Sequence, residues 1–379
     1  MSAVHSLFLE PLDVLFLRGN KLFGDPGSYG ESLVPPWPSV AAGALRSRML
    51  VDDGVDLAAF ARGEVNHPAL GTPAKPGAFT IAAFQLARRL ASGQVEALLA
   101  PPADLIVSEG EKGARSVQQL QPMPPAAGLL ASTPFATLPV LAEATRGKPS
   151  GGYWLGAAGW RDYLAGRTPT AEQLIHASKL WQIDPRVGVG LDAASGRAAD
   201  GRLFSVQAVA MCDGVGFLAT VSGAVPPDTG TLRLGGDGRA AAVRAASVDW
   251  PEPDYPAMAA AKRCRLVLTT PGIFSAGWLP TGVTPAADGG LHFALGGVKA
   301  VLVCTAVPRF DTVSGWDLAR WQPKPAQRAA PAGSVYWLDE LNASPEALRK
   351  LAERGLWAES CEDAARRAEG FNRFTFAAY

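Results

Sequence analysis

The sequence predicts an α+β protein built mostly from strands. Short apolar, strand-like runs recur through both halves with few helical periodicities between them. The 41 glycines and 31 prolines break the chain into short elements joined by turns. At 379 residues, with 48% hydrophobic and 18% charged residues, the chain has length for about two domains and apolar content for packed cores.

In chain order, Leu7-Phe-Leu9 and Leu12-Asp-Val-Leu-Phe-Leu17 read as a strand pair or one bulged strand, followed by the turn Arg18-Gly-Asn-Lys21. Pro35-Pro-Trp-Pro38 is extended, because each proline disfavours helix at the residue before it. Ser39 is placed to cap a helix over 40–50, with Leu45 and Met49 on one face. Residues 52–76 read as irregular, and 79–100 as a strand plus a helix carrying Arg88-Arg89. Recurring proline and glycine over about 101–152 predict an insertion of loops and short strands.

A helix is expected over 163–179, with Thr170 as cap and Gln173 at the capping-box position. Arg186-Val-Gly-Val-Gly-Leu-Asp192, a polar tip over 193–200 and Arg202-Leu-Phe-Ser-Val-Gln207 outline a long β-hairpin. Further strands are expected at 215–221, 266–270, 291–295, 298–307 and 334–338, then helices at 345–354 and 361–369. In Pro331-Ala-Gly-Ser-Val-Tyr-Trp337, Tyr336 and Trp337 read as structural.

Charge and cysteines narrow the function. The chain has 35 basic and 35 acidic residues, against a free-standing nucleic-acid binder but not against a protein that meets RNA along one groove. Lys299, Arg309, Arg320, Lys324 and Arg328 form a basic strip, whereas 339–369 is acidic. Four scattered cysteines, Cys212, Cys264, Cys304 and Cys361, fit buried thiols in a reducing cytoplasm. The first ten residues lack a signal-peptide pattern, and no apolar run approaches the roughly 18–20 residues that span a bilayer. A cytoplasmic protein without a membrane partner is expected.

The sequence carries no phosphate-binding P-loop, zinc-protease or nucleophile-elbow motif and no metal-spaced His/Cys cluster. No catalytic residue, metal or cofactor is therefore expected. His5, His67, His176 and His292 read as surface or satisfied residues, although a lone histidine acting as a general base in RNA cleavage stays open. Three segments have the chemistry of RNA surfaces. Leu234-Gly-Gly-Asp-Gly-Arg239 is either a plain hairpin turn or an amide cradle for phosphate beside Arg239. Arg186 with Gly188 and Gly190 fits a hairpin threaded between bases, or an ordinary one. Trp316 and Trp321 among basic residues fit either base stacking or a core or subunit interface.

The ordered set of motifs resembles the third-subunit family of the Cmr (type III-B CRISPR) effector complex, within the RAMP superfamily. The matching residues are Pro11-Leu-Asp-Val-Leu-Phe-Leu-Arg18, Pro38-Ser-Val-Ala-Ala-Gly-Ala-Leu-Arg46, Arg186-Val-Gly-Val-Gly-Leu191 and Leu234-Gly-Gly-Asp-Gly-Arg239. Thr270-Pro271 with Gly277-Trp-Leu-Pro280, Ser314-Gly-Trp-Asp-Leu318 and Pro331-Ala-Gly-Ser-Val-Tyr336 follow in family order. The glycine-rich C-terminal end of the family is represented by Gly370-Phe371-Asn372, without a second glycine.

The resemblance implies two ferredoxin-like, RNA-recognition-motif-like domains packed together, divided here at about 212/213. It implies a non-catalytic subunit that caps the crRNA 5′ tag, docks the large polymerase-like subunit and contacts the first backbone RAMP subunit. Carried over by motif, Arg18, Lys21, Ser39 and Arg46 would lie near RNA, with Arg186 and Gly188 in a wedge or lid. Gly235, Gly236 and Arg239 would form a phosphate-facing loop, and Trp316 is a stacking candidate. Two alternatives remain: a RAMP-type endoribonuclease processing guide precursors, with His5 the tempting base, and a protein-bridging subunit that never touches RNA.

Overall fold

Leu7, Phe8 and Leu9 are consecutive and all buried, a pattern that a strand adopts when it is covered on both faces. They belong to the strand Val4–Pro11, hydrogen-bonded on one side to Val215–Ser222 and on the other to Ala240–Ala245. The structure, a computed structural model, describes residues 4–19, 29–110, 115–129, 131, 133–142, 148–287, 289–317, 319–361 and 363–379. It is a strand-rich α+β protein with two compact units, each assembled from three stretches of chain.

The first unit comprises Met1–Val95, Ser178–Ser247 and Thr312–Gln327. Its main sheet runs in the order Thr231–Arg233, Ala240–Ala245, Val4–Pro11, Val215–Ser222, Thr80–Arg89, Val95–Leu98, the last strand straddling the unit boundary. Neighbours from Thr231–Arg233 through Thr80–Arg89 are antiparallel. The helix Pro38–Asp52 packs on this sheet through Ala41, Ala42, Leu45, Met49 and Leu50, so Leu45 and Met49 share the buried face as expected. Its cap differs from expectation. Trp37 is the N-cap and Pro38 opens the helix, since proline lacks an N–H that the first turn cannot use and presets the helical φ. Ser39 is thus the second helical residue.

The expected helix carrying Arg88-Arg89 is instead the end of the ten-residue strand Thr80–Arg89. Pairing along Val215–Ser222 overrides local helical preference, and Gly93, at φ +86°, turns the chain into Val95–Leu98. The long hairpin is present: Trp181–Leu191 pairs antiparallel with Ala198–Met211, placing Arg186 opposite Val206 and Gly188 opposite Phe204. The Asp192 carboxylate closes its tip by accepting from the Ser195 amide at 2.8 Å, with Gly196 at φ +65°. The region read as irregular contains one short helix, Leu57–Ala61, capped by Asp56.

The second unit comprises Glu96–Ala177, Val248–Asp311 and Arg328–Tyr379. Its sheet runs Val283–Pro285, Leu291–Leu295, Val298–Ala306, Val335–Asn342, Cys264–Leu268, Phe374–Ala377, with antiparallel pairing. Tyr336 and Trp337 sit buried in a central strand of that sheet, as expected of structural aromatics. The helix Pro345–Arg354 occupies its expected span, capped by the Ser344 hydroxyl, and buries Leu348 and Leu351 in the core. The next expected helix is shorter, Ala364–Ala368, because Asp363 supplies the cap inside the predicted span.

The Thr170–Gln173 capping box forms, but it opens a single 3₁₀ turn, Ala171–Gln173, and not a helix over 163–179. Leu174–His176 leaves that turn to pair with the buried strand Tyr153–Leu155, and the α-helix lies earlier, at Ala157–Leu164. The insertion contains short hairpins as expected: Leu105–Glu109 with Arg115–Gln119, and Gln121–Met123 with Leu138–Val140. Asn372 takes φ +59°, which asparagine tolerates better than most residues, and its side chain holds Ile273 N–H at 2.6 Å and Ile273 C=O at 3.1 Å.

Candidate nucleic-acid interface

Beyond Pro11 the chain leaves the first sheet, and Leu15 exchanges backbone hydrogen bonds with Val209 of the hairpin. That bridge fixes Phe16, which is buried, beside three loops. The Gly236 amide donates to the Phe16 carbonyl at 2.9 Å. The Arg239 guanidinium lies 5.2 Å from the Phe16 ring centre and that of Arg186 lies 6.0 Å away. Each such contact is worth about 0.5–1 kcal/mol at exposed sites. Phe16 is therefore a platform on which arginines from two separate segments converge.

Arg18 belongs to the same neighbourhood, pairing with Asp237 in the glycine turn at 3.4 Å. Arg239 donates to Asp13, and Arg186 donates through Nε to Asp184 at 2.9 Å. Each arginine thus has a named aspartate, and all three pairs are partly exposed. Exposed pairs of this kind contribute about 0–1 kcal/mol, so the aspartates hold the arginines only weakly. The Arg239 Nε is buried without a hydrogen-bond partner.

The glycine turn connects Thr231–Arg233 to Ala240–Ala245 as a hairpin, with Gly235, Asp237 and Gly238 at positive φ. The Leu234 amide donates to the Arg239 carbonyl and the Gly236 amide to Phe16, so neither is available to cradle a phosphate. Arg239 is the cationic side chain of the turn. At Gly188 a Cβ would lie 2.4 Å from the Phe204 ring, so this glycine seats an aromatic side chain across the hairpin.

Arg46 and Trp316 meet other rings within the first unit. Arg46, on the first helix, puts its guanidinium 5.0 Å from the Phe79 ring. Ser39 makes none of these ring or ion-pair contacts, and Lys21 lies outside the described residues. Trp316 packs edge-on against Trp321, ring centres 5.9 Å apart, in the small hairpin Trp316–Asp317 with Gln322–Pro323. Both rings are exposed. Arg320 and Lys324 share their unit, whereas Arg309 and Arg328 belong to the other, so the basic strip is divided.

Sequence reasoning missed Phe16 and the three aspartates. Phe16 was hidden in an apolar run that reads as core, yet alternation from Val14 through Phe16 to Arg18 is the available signal. His5 has a buried Nε2 without a partner, and no described carboxylate, tyrosine or serine joins it in a hydrogen bond. Among the described residues no group of three or more His, Cys, Asp or Glu is placed to hold a metal, and no helix is long and apolar enough to cross a membrane.

These features define an α+β protein with an arginine-bearing aromatic platform. The profile of the CRISPR-associated protein family Cas_Cmr3 matches residues 7–376, and the chain belongs to that family, the one its motifs resemble. No curated protein matches. Among solved structures, the chain is similar to one described as "Cryo-EM structure of the Type III-B Cmr-beta bound to cognate target RNA and AMPPnP, state 1". The identity is 12%, with 91% of this chain and 88% of the other covered and a TM-score of 0.45. A second, "Cryo-EM structure of the Type III-B Cmr-beta bound to cognate target RNA", is 12% identical, covers 88% and 86%, and has a TM-score of 0.41.

Proposed function

We propose that this chain is the guide-RNA-binding, non-catalytic subunit of a type III-B CRISPR complex, capping the crRNA 5′ tag. In that role it docks the large polymerase-like subunit and the first backbone RAMP subunit. The observation that carries this reading is the convergence of Arg18, Arg186 and Arg239 on Phe16 and the glycine turn. Guanidinium groups bind phosphate oxygens in pairs, and an RNA strand offers them in a row. Weak aspartate partners keep the arginines oriented without RNA and give way to it.

Both units are ferredoxin-like in this reading. Numbering Val4–Pro11, Thr80–Arg89, Val215–Ser222 and Ala240–Ala245 in chain order, their places in the sheet read 4-1-3-2. Cys264–Leu268, Val298–Ala306, Val335–Asn342 and Phe374–Ala377 have the same order. This is the order of a βαββαβ unit. The first unit keeps the helix after its first strand, Pro38–Asp52, and the second keeps the helix before its fourth, Pro345–Arg354.

The test is a native pull-down of the tagged chain, with mass spectrometry of proteins and sequencing of co-purified RNA. Guide-sized RNAs sharing one 5′ end, together with several RAMP proteins, are expected. The Arg186→Ala/Arg239→Glu variant should keep the proteins and lose RNA. RAMP partners with undiminished RNA would sink the assignment of these arginines, and a chain without RNA or partners would sink the function.

A further inference from the structure

In the second unit, a groove of about 650 Å³ opens between the insertion and the main sheet. That volume falls in the range of about 300–1,000 Å³ usual for small-ligand sites. Phe135, Trp278, Arg309, Phe310 and Arg328 line it, and no carboxylate does among the described residues. Trp278 is 39% exposed and Phe310 52%, a large amount of aromatic surface to leave in water. Arg328 lies over the Phe310 ring at 4.9 Å, and the Arg309 side chain has no hydrogen-bond or ion-pair partner among the described residues.

The groove walls are held from behind. The Phe135 ring meets Trp278 edge-on at 6.0 Å, and the Tyr336 hydroxyl donates to the Trp278 carbonyl at 2.6 Å. The site therefore offers fixed aromatic faces beside two cations that have no ion-pair partner among the described residues. Its ligand must present a flat ring and a negative group close together. A nucleotide does both, stacking its base on an aromatic or guanidinium plane while its phosphate meets arginine. A proline-rich segment would suit the rings and leave both arginines unanswered.

We infer that this groove holds one unpaired nucleotide of a single-stranded RNA, its base against Phe310 and Trp278 and its phosphate at Arg309 and Arg328. The choice of an RNA strand as the source rests on the functional reading above; the groove chemistry does not. The insertion over 101–152, through Phe135, thereby acquires a part in ligand binding.

The experiment uses the full-length chain and single-stranded RNA oligonucleotides containing 4-thiouridine, photo-crosslinked and mapped by mass spectrometry. Crosslinks are expected on peptides carrying Trp278 or Phe310. Their yield should fall about tenfold in Phe310→Ala, the scale of losing one stacked ring, and persist in Arg239→Glu. Arg309→Ala, which removes an exposed and unpartnered side chain, should reduce the yield without disturbing packing. Crosslinks confined to peptides around Phe16 and Arg186 would overturn the groove site and leave the tag-binding role standing. Absence of crosslinks anywhere, with no RNA in the pull-down, would overturn both. Full competition by AMP alone would overturn an RNA strand as the source, and Phe310-dependent binding of a proline-rich peptide without RNA crosslinks would overturn nucleotide recognition.

Discussion

Arg265 donates Nη1 to the Asp104 carboxylate at 2.6 Å, with side chains 1% and 0% exposed. The pair joins the insertion to the strand Cys264–Leu268. Arg265 also donates to the carbonyls of Tyr163 and Ala378, and the Tyr163 hydroxyl donates to Asp104 at 2.8 Å. Burial pushes the Asp104 carboxyl upward, and Arg265 followed by the Tyr163 hydrogen bond opposes that push. Asp104→Ala would leave a guanidinium buried and unpaired, at a cost of about 3–5 kcal/mol. Faster amide exchange in Cys264–Leu268 and Phe374–Ala377 is the expected readout. Asp104→Leu with Arg265→Met should recover most of the loss, and equal damage from the single and double variants would contradict this account.

Asp13 competes with RNA for Arg239 if the Phe16 platform binds phosphate. Asp13→Ala removes the acceptor of Arg239 Nη1 and a negative charge that is 57% exposed, so folding should be little changed. Affinity for a single-stranded RNA should rise roughly threefold, and the salt dependence should steepen by up to about one phosphate contact. Fluorescence anisotropy across a salt series measures both. Weaker binding would mean that Asp13 orients Arg239 more than it masks it.

The two turn glycines Gly235 and Gly238 should respond unequally to alanine. Both have positive φ, +79° and +65°. A Cβ at Gly235 would lie 2.8 Å from the Phe16 carbonyl oxygen, whereas at Gly238 nothing lies within 4 Å. Gly238→Ala should cost about 1 kcal/mol for its left-handed backbone alone. Gly235→Ala must also push the turn away from Phe16, so it should lose more stability and disturb Arg239. Equal thermal shifts would show that the close approach to Phe16 is not a constraint.

Strands with a strong apolar pattern were legible in the sequence, and so was the hairpin built on Arg186, because burial and turn chemistry are local signals. The capping box at Thr170 was legible too, but its consequence was not. Whether one turn becomes a helix depended on Leu174–His176 finding Tyr153–Leu155, a pairing that no local pattern encodes. The arginines at 18, 186 and 239 stood out as chemistry. Their meeting point did not, because Phe16 joins three segments far apart in sequence. The groove aromatics Phe135, Trp278 and Phe310 were equally hidden, being drawn together from separate loops.

The cysteines offer a pH-dependent check on the second core. Burial pushes the Cys304 thiol up to about 11, against a hydrogen bond from Thr137 that lowers it, and pushes Cys264 up further. Thiolate is the reactive form, so iodoacetamide at pH 8 should label the partly exposed Cys212 and Cys361 well before either buried thiol. The same shift has a sign for stability. A thiol whose folded value is raised stays protonated in the native state while the unfolded chain ionises from its reference value of 9.0 upward. The unfolded state therefore gains as pH rises, and the contribution present below pH 9 should shrink by about 1 kcal/mol per pH unit until Cys304 itself ionises. Cys304→Ser would remove the Cys304 share of that alkaline slope and leave the share of Cys264. Denaturation midpoints at pH 8 and pH 10 measure it, and a slope unchanged in Cys304→Ser would show that this thiol is ionised in the native protein.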